Sequence, residues 1–375
     1  MSRCARERRV YFVEEPLFFA GNGLNRVEQT LTKEGVHVVV PHIAEATPAA
    51  EVEALQAEML RTLLARENIE QFVLWYYTPM ALPIAEGLAP LAIVYDCMDQ
   101  LSAFKGAPPC LLDRERQLLR KADLVFTGGH ALYAEKRHSH QNIHAFPSSV
   151  DVPHFAQARA PQTDPEDQRS ISGPRLGFFG VIDERMDLEL LSGVASARPD
   201  WQLVILGPVV KIDEADLPRS PNIHYLGSKS YAELPRYIAG WDVALLLFAR
   251  NAATEFISPT KTPEYLAAGK PVVSTSITDV VSPYQELGLV SIADTVEDFV
   301  AACEGALLEA THGPSERADR FLSRLSWDKT WQEMAAHLRA AVHAPARGKS
   351  ARAPKPTVRA LDSAEETRNV TVGGQ

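Results

Sequence analysis

The chain has 375 residues, of which 46% are hydrophobic and 23% are charged, and its formal net charge is −10. This length is too great for one ordinary core and suits two domains, and the balance of apolar and charged residues is that of a globular protein. The acidic excess argues against a nucleic-acid binder, because contacts to phosphates need a surplus of Lys and Arg.

Membrane-spanning and metal-binding classes are also disfavoured. No apolar run approaches the roughly 20 residues of a transmembrane helix. The apolar stretch that follows the N-terminal arginines is interrupted by Glu14 and Glu15, too early for the core of a signal peptide. The four cysteines lack the spacing of metal ligands and fit free thiols in a reducing compartment. We therefore expect a cytoplasmic protein without a zinc site.

Short apolar runs alternate with helix-length segments in the first part of the chain. The clearest helical segment covers residues 49–66. Five runs predict buried strands, at residues 9–13, 36–40, 71–75, 92–95 and 123–127. This alternation is typical of a parallel sheet with crossover helices. We predict an N-terminal Rossmann-like domain over residues 1–155.

A second series of strands follows a change in composition. Residues 156–173 are polar and rich in Pro, Gln, Asp and Ser, which predicts a linker. Five further apolar runs predict strands, at residues 175–179, 202–206, 222–226, 243–247 and 271–274. We predict a second Rossmann-like domain over residues 174–325, so the fold class is α/β with two domains facing each other across a cleft.

Three strands of the second series end on a glycine. These glycines are Gly180, Gly207 and Gly227. Ligands of open α/β sheets bind at the carboxyl edge of the strands. We therefore expect the three glycines to line the cleft.

The last part of the chain predicts a helix and a tail. Ser326 is a candidate N-cap for an amphipathic helix over residues 326–343, with Trp331 and Leu338 among its periodic apolar residues. We expect this helix to serve packing rather than chemistry. From residue 344 the sequence turns to Pro, Gly, Ser and basic residues, which predicts a disordered tail over residues 344–375. The alternative is a basic segment that contacts anionic lipid headgroups.

The most informative segment, residues 255–273, reads EFISPTKTPEYLAAGKPVV. It predicts a loop, a helix and a strand. Thr262 is a candidate cap of the helix, Pro263 suits its first position, and Gly269 suits its end.

The start of this helix is a candidate anion site. Free backbone N–H groups at a helix start attract negative charge. Ser258, Thr260 and Lys261 could assist them, so that a diphosphate is held without a metal. Glu264, one turn inside, could accept hydrogen bonds from the hydroxyls of a ribose.

This segment resembles the donor loop of the retaining glycosyltransferases of the "group 1" family, which ends in an acidic residue, a short helix and Gly-Lys-Pro-Val-Val. The resemblance extends to residues 146–151, 222–227 and 231–244, in the family's order and spacing. It covers most of residues 90–335, whereas residues 1–90 match only in the rhythm of their elements. It implies the GT-B fold, with the nucleotide-sugar bound as a substrate and no cofactor.

The resemblance also implies roles for individual residues. In the family, two Glu residues separated by seven positions contact the donor sugar and the ribose. Glu264 matches the second, whereas Glu255 stands one place from the first. In the family, an Arg and a Lys after the first strand of the second domain contact the donor phosphates. This chain lacks that pair, and Arg185 is the cation nearest to the corresponding position. We expect Arg185 and Lys261 to act together in a divergent branch that uses Ser-Pro-Thr-Lys in place of a Gly-rich loop.

Two further regions complete the expected site. Backbone groups near Gly207 and Lys229 are expected to contact the base of the nucleotide. Asp96 and Asp99 follow a buried strand where many relatives place a His near the donor sugar. Their carboxylates could bind acceptor hydroxyls or act as a base, and the alternative is that they cap a helix. They do not form an Asp-X-Asp metal motif.

The resemblance implies an enzyme that moves a hexose-type sugar, with retention, from a UDP-sugar rather than a GDP-sugar. The acceptor would be a glycan or a lipid-linked acceptor in cell-surface polysaccharide synthesis, and the protein could contact the inner face of the membrane peripherally. One alternative is a nucleotide-sugar 2-epimerase, although no cluster of His and Glu supports it. Another is a non-catalytic two-lobed sugar or nucleotide binder, but Lys261 and Glu264 favour activity.

Overall fold

Two β-sheets organise the part of the chain that the structure describes. The structure is a computed structural model, which describes residues 1–21, 23–344 and the backbone of 368–372. Each sheet has its own buried apolar clusters, which pack on both of its faces. The two-domain α/β architecture predicted from the strand rhythm is therefore confirmed.

The first sheet contains the strands of the N-terminal region. They are β1 (Arg9–Val13), β2 (Leu17–Phe19), β3 (Arg26–Leu31), β4 (Val36–Ala44), β5 (Val73–Tyr76), β6 (Ala92–Cys97), β7 (Leu124–Thr127) and β8 (Ile143–Ala145). Its helices are α1 (Ala49–Arg66), α2 (Leu111–Lys121) and α3 (His130–Lys136). Short 3-10 helices cover Cys4–Arg6, Pro79–Ala81, Pro83–Ala85 and Leu101–Ala103.

One pair of strands departs from the predicted parallel arrangement. β3 pairs antiparallel with β4, in a hairpin whose turn contains Gly35 at φ 85°. The segment was not predicted as a strand, because four of its six residues are polar and four are exposed, as is usual at the edge of a sheet. β2 pairs with the end of β4 beyond the part that pairs with β1.

The second sheet is parallel throughout. Its strands are β9 (Arg175–Phe179), β10 (Gln202–Leu206), β11 (Ile223–Gly227), β12 (Val243–Leu246), β13 (Val272–Ser274) and β14 (Ser291–Ile292), in the order β11-β10-β9-β12-β13-β14. The accompanying helices are α4 (Val152–Phe155), α5 (Glu166–Arg169), α6 (Leu188–Ala197), α7 (Leu234–Ala239), α8 (Lys261–Ala267), α9 (Thr278–Val280), α10 (Val296–Ala310) and α11 (Glu316–Leu322). Ala156–Arg159 and Glu214–Asp216 are 3-10 helices, and Val281–Gln285 is a π-helical turn.

The segment predicted as a linker is packed against the second sheet. The side chain of Gln168 is fully buried, donates to the carbonyl oxygen of Tyr237 at 3.1 Å and accepts from Nε1 of Trp241 at 3.0 Å. Arg175, at the start of β9, forms an ion pair with Asp164 at 2.7 Å. These buried polar contacts fix the connection between the two sheets.

The last helix returns to the first domain. Helix α12 (Trp327–His343) begins where predicted, because Ser326 accepts the N–H of Lys329 at 3.1 Å. Leu338 and Ala341 of this helix pack against the first sheet. The helix therefore covers one face of that sheet.

Most of the predicted disordered tail lies outside the described residues. The exception is β15 (Arg368–Val372), which pairs in parallel with β1 and β5. With it, the first sheet has the order β2-β4-β1-β15-β5-β6-β7-β8, with β3 on β4. This segment departs from the predicted disorder, because its short β-favouring run of Val and Thr was masked by the charged composition around it.

Candidate functional site

Three predicted glycines come together at the carboxyl edge of the second sheet. Gly180 and Gly207 have φ angles of 145° and 142°, and Gly227 has a φ angle of 71°. A Cβ atom on Gly207 would overlap the carbonyl oxygen of Gly180. The N–H of Gly207 donates to the carbonyl oxygen of Gly227 at 2.9 Å. Glycine is therefore required where these loops approach each other, and it leaves their backbone open to a ligand.

Helix α8 begins two residues before the position that the sequence predicted. Thr260 is its N-cap residue, although no side-chain hydrogen bond caps the helix there. Thr262 lies inside the helix, fully buried, and its hydroxyl has no hydrogen-bond partner among the described residues. The prediction that Thr262 caps this helix is wrong, since Pro263 is tolerated anywhere in a first turn. The predicted end is confirmed by Gly269, which follows the helix with a φ angle of 76°.

The Lys261 side chain extends from the start of α8 to Gly180. A Cβ atom on Gly180 would overlap Cε of Lys261. The ammonium lies 5.6 Å from the ring centroid of Phe178 and 5.9 Å from that of Phe248. Burial lowers the pKa of Lys261, and the nearby Glu264 opposes this effect. An ammonium in such surroundings gains more from a bound anion than an exposed one does.

Glu264 lies one turn further along α8. Burial raises the pKa of its carboxyl to about 7, although Lys261 acts in the opposite direction. The carboxyl is therefore close to half ionised at neutral pH. The charge of Glu264 also contributes, after burial and Asp151, to raising the pKa of Tyr231 to about 12, so this phenol lies near Glu264.

Arg185 faces the first domain from the loop after β9. Its guanidinium donates to Asp183 twice, from Nε at 3.0 Å and from Nη2 at 2.7 Å. It lies 5.4 Å from the ring centroid of Phe104 in the first domain. Burial raises the pKa of Asp99, and the charge of Arg185 opposes that shift. The structure thus brings Asp99 and Arg185 together across the cleft.

Asp96 has different surroundings from Asp99. It is 4% exposed, and its Oδ2 accepts the indole N–H of Trp75 at 3.1 Å. Burial raises the pKa of Asp96 to about 6. The residue belongs to strand β6 and bonds an indole, so this geometry offers nothing to the interpretation of Asp96 as a helix cap.

The remaining predicted donor residues are dispersed. Thr260 is exposed, and Lys229 forms an ion pair with Asp167 at 2.7 Å. The exposed side chain of Glu255 has no hydrogen-bond or ion-pair partner among the described residues. The next residue, Phe256, packs against the apolar core of the first domain. An apolar interdomain contact thus stands where the resembling family places its first Glu.

A contact that the sequence did not predict joins the domains beside Ser258. Asp279 accepts the backbone N–H groups of His130 at 2.9 Å and Ala131 at 2.8 Å. A Cβ atom on Gly129 would overlap this carboxylate and would lie 2.7 Å from Cβ of Ser258. One sequence feature could have indicated this contact. Gly128 and Gly129 precede α3 and have no side chain to cap it, so the first N–H groups of the helix need a hydrogen-bond acceptor from another part of the chain.

The described residues contain neither a cluster of metal-ligating side chains nor a membrane-spanning helix. Within residues 1–21 and 23–344, no three His, Cys, Asp or Glu side chains form a group that could hold a metal ion. The helices in the same described ranges are all too short or too polar to cross a membrane.

Part of the chain matches a known protein family. Residues 173–309 match the family Glycosyl transferases group 1. TuaH of Bacillus subtilis (strain 168), which is described as a glycosyltransferase of teichuronic acid biosynthesis, is 26% identical over 297 residues, which are 72% of this chain and 68% of that protein.

Solved structures share the overall fold. Sucrose-phosphate synthase from Thermosynechococcus elongatus superposes with a TM-score of 0.65 at 13% identity, over 88% of this chain and 98% of that one. HepE from Anabaena, solved in complex with UDP, superposes with a TM-score of 0.61 at 14% identity, over 88% of this chain and 100% of that one. Residues 173–309 thus match the family Glycosyl transferases group 1, and the chain is a glycosyltransferase with the GT-B fold.

Proposed function

We propose that this chain transfers a hexose-type sugar from a UDP-sugar to a glycan or lipid-linked acceptor in the synthesis of a cell-surface polysaccharide. The observation that carries the proposal is the position of the Lys261 ammonium against Gly180, with Glu264 one turn away. The choice of UDP is supported by the HepE complex, and the polysaccharide pathway by the description of TuaH. We place the reaction in the cytoplasm, at the inner face of the membrane.

In the proposed reaction, the donor phosphates lie between the glycine edge and the start of α8. As the bond between the sugar and the phosphate loosens, negative charge grows on the departing diphosphate. Lys261 stabilises that charge from a buried position, where electrostatic interactions are stronger than in water. Arg185, held in place by Asp183, adds a second cation close to Lys261.

Glu264 holds the nucleoside in this scheme. Its ionised carboxylate accepts hydrogen bonds from the two ribose hydroxyls, which offsets the cost of burying the charge. Binding of the donor therefore favours the ionised form of Glu264 over the protonated one. Backbone groups near Gly207 and Lys229 contact the base.

The acceptor binds against the first domain. In this scheme Asp99, which faces Arg185, and Asp96 on β6 accept hydrogen bonds from acceptor hydroxyls. The acceptor hydroxyl attacks the sugar carbon on the face from which the diphosphate departs, so the configuration is kept, and it gives its proton to an oxygen of the leaving diphosphate. This scheme uses no metal ion.

The test is titration of the purified protein with UDP-glucose, GDP-mannose and the free nucleotides in the presence of EDTA. We expect one nucleotide to bind in the micromolar range and both Lys261→Ala and Glu264→Ala to weaken it by about tenfold or more, as is typical for loss of a hydrogen bond to a charged group. Matched controls are Lys33→Ala and Glu316→Ala, whose side chains are 92% and 93% exposed. A folded protein that binds none of these ligands would refute the donor site.

A non-catalytic nucleotide binder is the second candidate. The observation that favours it is Phe256, an apolar residue where the family has the Glu that contacts the donor sugar. Such a protein would bind UDP-glucose and lose affinity in both variants, yet release no UDP when a panel of acceptors is supplied. Release of UDP that depends on acceptor would exclude it, and a 2-epimerase would instead convert the sugar without acceptor.

A further inference from the structure

An aromatic cavity lies between the first sheet and helix α12. Its volume is about 260 Å³. Five aromatic side chains line it, namely Trp75, Tyr77, Phe146, Trp327 and Trp331. Pockets for drug-sized ligands occupy roughly 300–1,000 Å³, so this space suits a smaller molecule with a single ring.

Asp96 gives this apolar cavity a carboxylate. It lines the wall, and the bond from Trp75 Nε1 at 3.1 Å fixes its orientation. Two basic groups are near. The α-amino group of Met1 lies close enough to oppose the rise in the pKa of Asp96, and the guanidinium of Arg3 is paired with Asp328 at 2.8 Å. A buried carboxylate among aromatic rings is suited to accept hydrogen bonds from a polyhydroxylated ligand.

The aromatic walls are held in place. The indole N–H of Trp331 donates to Glu7 at 3.4 Å, and its ring lies 6.4 Å from that of Trp75. Trp327 is the first residue of α12, where Ser326 caps the helix. Helix α12 was expected to serve packing alone, because its apolar spacing does not distinguish residues that fill a core from residues that line a cavity.

The cavity adjoins the proposed donor site. Asp96 and Met98 line it, while Asp99, next in the chain, faces Arg185 of the second domain. Ser148 lies on its border and also lines a second cavity of about 310 Å³ that reaches Ser258 of the donor loop. A ligand in the aromatic cavity would therefore lie on the acceptor side of the cleft.

We propose that this cavity binds one hydroxyl-rich pyranose ring of the acceptor glycan. The C–H face of the ring packs on the indoles of Trp327 and Trp331, and a ring hydroxyl donates to Asp96. This arrangement places the acceptor against helix α12 as well as against the N-terminal domain. The inference rests on the proposed glycosyltransferase function and specifies the class of acceptor that this function uses.

The test measures binding of simple sugars without turnover. Methyl β-glucopyranoside and methyl N-acetyl-β-glucosaminide are titrated into the full chain, with tryptophan fluorescence and ligand-observed NMR as readouts. We expect one of them to bind in the millimolar range. Asp96→Asn should weaken it by about tenfold, because the ring hydroxyl then donates to a neutral amide in place of a charged carboxylate. Trp327→Ala, on the rim of the cavity, should weaken it similarly, and Asp113→Asn, at a side chain that is 73% exposed, is the matched control.

The titration of UDP-glucose on the same samples separates this inference from the proposed function. If UDP-glucose binds but neither glycoside does, or if both variants bind a glycoside as the wild type does, the cavity is not a sugar site. Saturable binding of geranyl phosphate in place of the glycosides would also overturn the proposal, since it would mark a lipid pocket. If the wild-type protein does not bind UDP-glucose, that result would instead count against the proposed function itself.

Discussion

Asp279 of the second domain caps helix α3 of the first domain at His130. Its Oδ2 accepts the N–H of His130 at 2.9 Å, and its Oδ1 accepts that of Ala131 at 2.8 Å. Asp279 is 4% exposed, and no described residue of the first domain caps this helix with a side chain. Capping of a helix in one domain is thus coupled to closure of the cleft between the two.

We expect Asp279→Ala to destabilise the closed arrangement of the domains. Loss of an N-cap side chain costs about 0.5–2 kcal/mol, and here the lost bonds join the domains. The matched control is Asp187→Ala, because Asp187 caps α6 within the second domain by accepting the N–H of Leu190 at 2.8 Å. Both variants should lower the melting temperature, but only Asp279→Ala should increase the radius of gyration in small-angle X-ray scattering. Equal radii for the two variants would contradict the coupling.

A second prediction concerns the packing of Gly180 against Lys261. In Gly180→Ala the new methyl group would overlap Cε of Lys261, so the ammonium must move away from the glycine edge. The control is Gly227→Ala, which also changes a glycine with a positive φ angle, at 71°, but has no atom within 4 Å of the new methyl group. We expect both to be destabilised, by about 1 kcal/mol or more. Only Gly180→Ala should also weaken the binding of UDP-glucose, by at least about tenfold. Similar affinities in the two variants would show that the position of Lys261 does not depend on Gly180.

The sequence predicted those elements whose pattern is local and fully buried. Residues 175–179 and 202–206 match β9 and β10 residue for residue, because strands covered on both faces are continuous apolar runs. Strand β3 was missed, since the polar residues of Arg26–Leu31 form an exposed edge. The local pattern could not identify the start of α8 either, because Thr260 and Thr262 are equally suitable N-cap residues by type. In the structure Thr262 is buried inside the helix, and Thr260 is the N-cap residue.

Contacts between distant parts of the chain were beyond the reach of the sequence. Asp279 and His130 are 149 positions apart, and nothing in either local sequence identifies the other as a partner. The same holds for Trp331, whose helical spacing predicts an apolar face but not a cavity shared with Asp96. The residue types at strand ends predicted which groups line the cleft. The distances between those groups could be obtained only from the folded structure.

The unpaired hydroxyl of Thr262 leads to a prediction about stability. This residue is fully buried and its Oγ1 has no hydrogen-bond partner in the described part of the chain. Thr262→Val keeps the shape and removes the unsatisfied group, so we expect the free energy of unfolding to rise by about 1 kcal/mol. Thr275→Val is the control, because the buried Thr275 hydroxyl donates to the carbonyl oxygen of Phe248 at 2.7 Å, and its loss should destabilise. The measurement is urea unfolding of both variants. A change in the free energy of unfolding that has the same sign in both would refute this interpretation of Thr262.

The pH dependence of donor binding provides the last prediction. Burial raises the pKa of Glu264 to about 7, and a ribose bound through its hydroxyls requires the ionised carboxylate. With that pKa, roughly one tenth of the carboxyl is ionised at pH 6 and nine tenths at pH 8. The affinity for UDP-glucose should therefore rise by about tenfold between these pH values, with uptake of the ligand accompanied by release of a proton below pH 7.

The variants and the choice of ligand make this slope specific to Glu264. UDP-glucose is used because its phosphates do not titrate in this range, whereas the terminal phosphate of UDP has a pKa of about 6. Glu264→Gln should bind more weakly at pH 8 and lose the slope between pH 6 and pH 8. Lys261 acts in the opposite sense, since burial lowers its pKa and its deprotonation at higher pH would weaken binding. An affinity that rises equally in the wild type and in Glu264→Gln would assign the titration to another group and remove Glu264 from the ribose site.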